Sequence, residues 1–115
     1  MILFLSKKSE PGAFLFDNTL FLPGGKVIAL LLGNCLFDQV GQVRAKYFRQ
    51  TLYTLEGKIL GKESEAPLAN TINPTDLIQQ AWPIFTRIKN HDCSFIEPTN
   101  EWEETAIEVF FLPRT

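Results

Sequence analysis

Hydrophobic side chains in the first half of the chain fall into columns sixteen residues apart. Leu20, Leu36 and Leu52 form one column, Phe21, Phe37 and Tyr53 a second, and Val27, Val43 and Ile59 a third. Ala29, Ala45 and Gly61 keep the spacing, as do Gly25, Gly41 and Gly57. A fixed period of this kind is the mark of one supersecondary unit used several times. The copies NTLFLPGGKVIALLLG (18–33), NCLFDQVGQVRAKYFR (34–49) and QTLYTLEGKILGKESE (50–65) each predict a β-hairpin. A short strand of aliphatic and aromatic residues comes first. A turn ending in glycine follows, then a second strand and a polar junction such as Gly33-Asn34 or Arg49-Gln50. An N-terminal copy is legible in Leu3-Phe4-Leu5, set against Leu20-Phe21-Leu22 at a spacing of 17, and in Ala13-Phe14-Leu15-Phe16. That makes four hairpins, the first with a turn (Ser6 to Gly12) one residue longer than the others.

Strand alternation sends successive side chains to opposite faces. Val27, Ala29 and Leu31 then share one face, with a small residue at its middle that suggests crowding near an axis. The other face carries Ile28, Leu30 and Leu32, whose counterparts are Arg44, Lys46 and Phe48 in the next copy and Leu60, Lys62 and Ser64 after that. The second hairpin is therefore apolar on both sides, and something must cover it.

Beyond Pro67 the period stops. Asn73-Pro74-Thr75-Asp76 is a helix start, with Asn as cap and Pro in the first turn. Leu77, Ile78, Ala81, Trp82, Phe85 and Ile88 make one apolar stripe reaching to about Asn90. Pro83 lies within it and predicts a kink. Cys93 to Ile96 reads as a short strand, and Thr105 to Leu112 as a longer one ended by Pro113. The predicted class is α+β in a single domain, 1–115: a four-hairpin, pseudo-four-fold β module over 1–65, then a kinked amphipathic helix and C-terminal strands over 66–115. The stripe residues Leu77, Ala81, Trp82, Phe85 and Ile88, or a second copy of the chain, are expected to cover Ile28, Leu30 and Leu32.

The hairpin pattern, x-L-[FY]-x-x-x-G-[KQ]-[VI]-x-[AG], resembles the four-fold β-flower domain of bacterial proteins. The resemblance covers residues 2–65 and implies four hairpins set like petals around a pseudo-four-fold axis. It brings no catalytic residues with it and is silent on 66–115.

Composition supports a globular domain: 115 residues, 45% hydrophobic, 21% charged, with ten Phe to build a core. A net charge of −2 argues against nucleic acid as a partner. Residues 1–65 hold eight basic and six acidic residues, 66–115 three and seven, so the two parts carry opposite charge. The opening MILFLSKK falls short of the ~7–15 apolar residues of a secretory signal. The longest apolar run, Val27 to Leu32, is far below the ~20 residues of a membrane span. With no export signal in sight, Cys35 and Cys93 are expected to be reduced thiols in a cytoplasmic protein.

Candidate chemistry is sparse. His91-Asp92-Cys93 joins a base, a carboxylate and a thiol, the weak candidate for a catalytic set, but it also reads as a polar helix-to-strand junction. Glu97, Glu101, Glu103, Glu104 and Glu108 could house a carboxylate pair, though dense glutamate is ordinarily a solvated face. Trp102 among them is either a stacking platform or a half-buried anchor. Arg44, Lys46 and Arg49 with Tyr47 and Phe48 look like a small RNA-stacking surface with too few charges. No phosphate-loop, dinucleotide, nucleophile-elbow or zinc-protease motif occurs, and no cofactor or metal is expected. The sequence thus points to a non-enzymatic binding or self-assembly module. Its interaction surface would be Ile28, Leu30, Leu32, Trp82 and Phe85, and its partner itself or another protein, with no nucleic acid and no membrane. The alternatives are a small enzyme or small-molecule binder with a cleft near His91, and an immunity or effector-binding protein.

Overall fold

A computed structural model describes residues 2–65, 73–89 and 96–112. Eight strands form a closed antiparallel barrel in sequence order: β1 (Ile2–Leu5), β2 (Pro11–Phe16), β3 (Thr19–Phe21), β4 (Val27–Leu32), β5 (Cys35–Asp38), β6 (Val43–Phe48), β7 (Thr51–Thr54) and β8 (Ile59–Glu65). β1 pairs with β8 and closes the sheet, Phe4 opposite Glu63. Two helices follow, α1 (Pro74–Arg87) and the single-turn α2 (Ile107–Phe110). The protein is thus mostly β, which overturns the α+β class and the picture of a four-hairpin module trailed by a kinked helix and strands.

The junctions between hairpins account for the difference. Asp17-Asn18 and Arg49-Gln50 are two-residue turns with φ of 50° and 63°, and of 51° and 62°. Positive φ at both central residues matches the right-handed twist of flanking strands, so β2 and β6 pair with β3 and β7 as tightly as within each hairpin. Gly33-Asn34 joins β4 to β5 in the same two residues. With a tight turn at every junction the sheet is one continuous meander, and closing it leaves no edge.

At the opposite end of the barrel the turns share another geometry. Gly25, Gly41 and Gly57 have φ of 95°, 86° and 87°, and each N–H donates to the carbonyl three residues back. Ser9, with φ 60°, takes that place in the first turn. It stands sixteen positions before Gly25, so this turn is no longer than the others and Phe4, not Leu3, corresponds to Leu20.

Each of these hairpins carries a β-bulge: the register shifts between Phe4 and Leu5, Leu20 and Phe21, Leu36 and Phe37, and Leu52 and Tyr53. A bulge places two successive residues against one and re-aims a side chain. Ile28 therefore turns inward beside Ala29 and joins the barrel core, while Val27 faces out. The predicted face of Ile28, Leu30 and Leu32 is split in this way.

The core is layered. Phe4, Leu20, Leu36 and Leu52 on the odd-numbered strands stand opposite Ala13, Ala29, Ala45 and Gly61 on the even-numbered ones. All four large residues are fully buried, so the small partners are what leaves room for them on the axis. Toward the two-residue turns the next interior positions are Leu15, Leu31, Tyr47 and Glu63.

α1 begins as its sequence predicts, with the Asn73 side chain accepting from the N–H groups of Thr75 and Asp76. It runs unbroken through Pro83, so the expected kink is not a division of the element. Pro83 and Gln79 are exposed, and the Gln79 carbonyl left without its helical donor can be met by water. The face laid on the barrel is Leu77, Ala81, Ile84 and Ile88, packed with Val27, Leu30 and Leu32. Gln80 fastens it: its Oε1 accepts from Val27 N–H at 2.9 Å and its Nε2 donates to the Gly25 carbonyl at 3.0 Å.

Residues 105–112 are not a strand. Ile107 on α2 and Phe111, the residue that ends it one turn later, enter the end of the barrel beside Ile28 and Leu60. Glycine makes the socket: a Cβ on Gly12 would stand 2.8 Å from Ile107 Cδ1, and one on Gly61 3.2 Å away. The extended run before α2 is tied to β8, where Ile59 N–H donates to the Glu101 carbonyl at 2.7 Å and Glu103 N–H to the Ile59 carbonyl at 2.8 Å. Of the other predicted strand, Cys93 to Ser94 and Phe95 lie outside the described residues.

Candidate functional site

Two surfaces stand out, the outer side of α1 and the plugged end of the barrel. On α1 the positions 78, 82 and 85 lie one turn apart and face away from the sheet. Ile78, Trp82 and Phe85 are 58%, 63% and 44% exposed. The two rings stack, centroids 5.5 Å apart and planes 15° from parallel. The helix is thus apolar on both sides, one used by the barrel and one open.

At the plugged end, Arg44 occupies the bulge position that Ile28 and Leu60 hold in the neighbouring hairpins. Its Nη2 donates to the Phe110 carbonyl at 2.8 Å, and its guanidinium lies 5.0 Å from the centre of the Phe110 ring. Nη1 meets the fully buried Asp38 carboxylate at 3.3 Å. Asp38 Oδ1 also accepts from Val40 and Gln42 N–H, both at 3.0 Å. The charge of Arg44 is thereby paired and its donors are used to hold the last turn of α2. Arg44 thus acts as a structural cation between the barrel and α2.

Two clefts flank α2. One, of about 630 Å³, lies between the β1–β2 turn and the strap 102–108, with Lys7 and Lys8 on one side and Glu103, Glu104 and Glu108 on the other. The second, of about 690 Å³, runs past Arg44, Thr54, Glu56 and Phe110. Trp102 is half-buried at the rim of the first, with the Lys62 ammonium 5.8 Å from its ring centre.

The basic patch seen in the sequence is dispersed. Tyr47 points into the barrel, where its Oη donates to Glu63 Oε2 at 2.8 Å. Burial first, then the bond to Glu63 and its negative charge, push the Tyr47 phenol up to about 12. Arg49 folds back over the Phe48 ring at 4.9 Å. Of the predicted interaction surface, Ile28 is core, Leu30 and Leu32 lie under α1, and Trp82 and Phe85 are open to solvent. His91, Asp92 and Cys93 lie outside the described residues.

Cys35 corrects the redox expectation. It is fully buried and disulfide-bonded, not a reduced thiol. The sequence contains one other cysteine, Cys93. Sequence spacing could not show this, because a bridge depends on how distant parts of the chain meet in space rather than on any local pattern.

Among the described residues no three of His, Cys, Asp and Glu gather where they could hold a metal ion. Among the described residues no helix is long and apolar enough to cross a membrane. No family model, no curated protein and no solved structure matches the chain.

Proposed function

We propose that the protein is a non-enzymatic binding module that docks through the outer face of α1, its first partner being a second copy of itself. The observation that carries this reading is the open, uncharged patch of Ile78, Trp82 and Phe85 on a helix whose other side is already committed. Contiguous apolar surface rimmed by polar residues marks interaction sites in soluble proteins, and aromatic anchors dominate the energetics of such sites. Thr75, Gln79, Thr86 and Lys89 border the patch and are compatible with the rim of a helix-on-helix contact. The disulfide at Cys35 favours an oxidising compartment over the cytoplasm, since glutathione and thioredoxin keep cytosolic thiols reduced. The likeness to the four-fold β-flower family, drawn from the sixteen-residue columns, adds no activity to this reading.

Light scattering over a range of concentrations tests it. The native chain should approach twice its 13.1 kDa mass as concentration rises. Trp82→Glu and Phe85→Glu should each remain at one chain's mass with unchanged circular dichroism, because both positions are exposed. A native mass of one chain at every concentration would overturn self-docking.

A further inference from the structure

We infer that the 630 Å³ cleft beside α2 is a binding site for a small zwitterion with an apolar body, of the amino-acid and short-peptide class. Its volume falls within the ~300–1,000 Å³ of small-molecule sites. The floor is apolar, formed by Leu22, Pro23, Leu60 and Ile107. One wall is the β1–β2 turn, bearing Lys7 and Lys8 with a single carboxylate, Glu10. The facing wall is the strap, bearing Glu103, Glu104 and Glu108 and no cation.

These opposite charges do not neutralise one another. Among the described residues the ion pair within 4 Å is Arg44 with Asp38, and none crosses the cleft. The Glu103 carboxylate accepts from Thr105 N–H at 3.4 Å within its own wall. Both walls are built before any ligand arrives. Hydrogen bonds between Ser6 and both Ser9 and Glu10 hold the turn, while Ile59 and the Ile107 plug hold the strap.

A gap with unpaired cations on one side and unpaired anions on the other discriminates by charge arrangement. An anion gains at the lysines and loses at the glutamates, and a cation does the reverse. A zwitterion gains at both when its carboxylate faces Lys7 and Lys8 and its ammonium faces the strap. Its side chains would lie on the apolar floor. This inference is independent of the docking face on α1, which lies on the side of the barrel.

Calorimetric titration of the full chain with leucyl-leucine tests the site. The free dipeptide should bind saturably, and its N-acetyl and C-terminal amide forms should each bind about tenfold or more weakly, a loss of one charge contact apiece. A Lys7→Gln/Lys8→Gln variant should lose the preference for the free acid over the amide. A Glu103→Gln/Glu104→Gln variant should lose the preference for the free amine over the acetylated form. Unchanged melting temperatures for both variants would show that the fold is intact. Equal binding of the free and capped dipeptides, or no saturable heat with any of them, would overturn the site.

Discussion

Tyr47 and Glu63 meet inside the barrel, phenol to carboxylate at 2.8 Å, at interior positions that Leu15 and Leu31 occupy on the strands across the axis. Half of one core layer is therefore a polar pair, made tolerable because each member satisfies the other. The Phe4 ring packs edge-on to Tyr47 at 5.5 Å and walls it off from the core beneath.

The pair makes stability depend on alkaline pH. The folded chain holds the Tyr47 proton more tightly than the unfolded chain, at about 12 against an ordinary 10.0. The resulting stabilisation is whole below pH 10, the unfolded value, and is lost as pH rises through about 12. Urea midpoints should fall over that window in the native protein and more weakly in Tyr47→Phe. Glu63→Gln should lower the phenol's titration, read by absorbance, without restoring it fully, because burial remains. Identical pH profiles for the native and Tyr47→Phe proteins would refute the account.

The turn glycines should not be equally replaceable. All three have positive φ, so alanine at any of them costs about 1 kcal/mol of backbone strain. A Cβ on Gly25 would meet nothing within 4 Å, whereas on Gly57 it would collide with the Glu97 carbonyl and on Gly41 with the Arg87 carbonyl. Chemical denaturation should show Gly25→Ala losing about that amount and Gly41→Ala and Gly57→Ala clearly more. Equal losses at all three would mean that the backbone at Glu97 and the end of α1 do not press on these turns.

Cys35 should be unreactive. Thiol titration under denaturing, non-reducing conditions should count no free thiol, and reduction should lower the melting temperature. Loss of a native bridge from a small domain typically costs about 2–5 kcal/mol. Two thiols titrating without reductant would reverse both the bridge and the inferred compartment.

Leu30→Lys should be severely destabilising, by about 3 kcal/mol or more. It removes a buried side chain from beneath α1 and puts an ammonium among Leu77, Ile84 and Ile88. Circular dichroism should show helix lost before barrel. Ile107→Ala should cost about 2–4 kcal/mol, because rigid strand backbone at Gly12 and Gly61 cannot collapse into the vacated socket. A near-neutral Ile107→Ala would mean that α2 rests against the barrel rather than plugging it.

Much of the chain is legible in its local chemistry. Strand positions, the positive φ of Gly25, Gly41 and Gly57 and the Asn73 cap follow from local chemistry: β-branched and aromatic alternation, the absence of a Cβ, a side-chain oxygen before a proline. The small column of Ala29, Ala45 and Gly61 announced a crowded axis. What local chemistry could not decide was which way each side chain faces and how far pairing extends. A bulge leaves no compositional trace, yet it moves Ile28 from the outer face to the core. Arg49-Gln50 does not look like a tight turn, because its left-handed backbone is imposed by the pairing of β6 with β7 rather than preferred by those residues. Closure of β1 on β8 is a contact between the two ends of a sheet that runs from Ile2 to Glu65, and no short window of sequence contains it. Residues 105–112 show the same limit from the other side. Thr, Ile, Val and Phe favour a strand, but every strand position in the barrel was already filled. The vacant place was the socket between Gly12 and Gly61, which one helical turn carrying Ile107 and Phe111 can fill and an extended chain cannot.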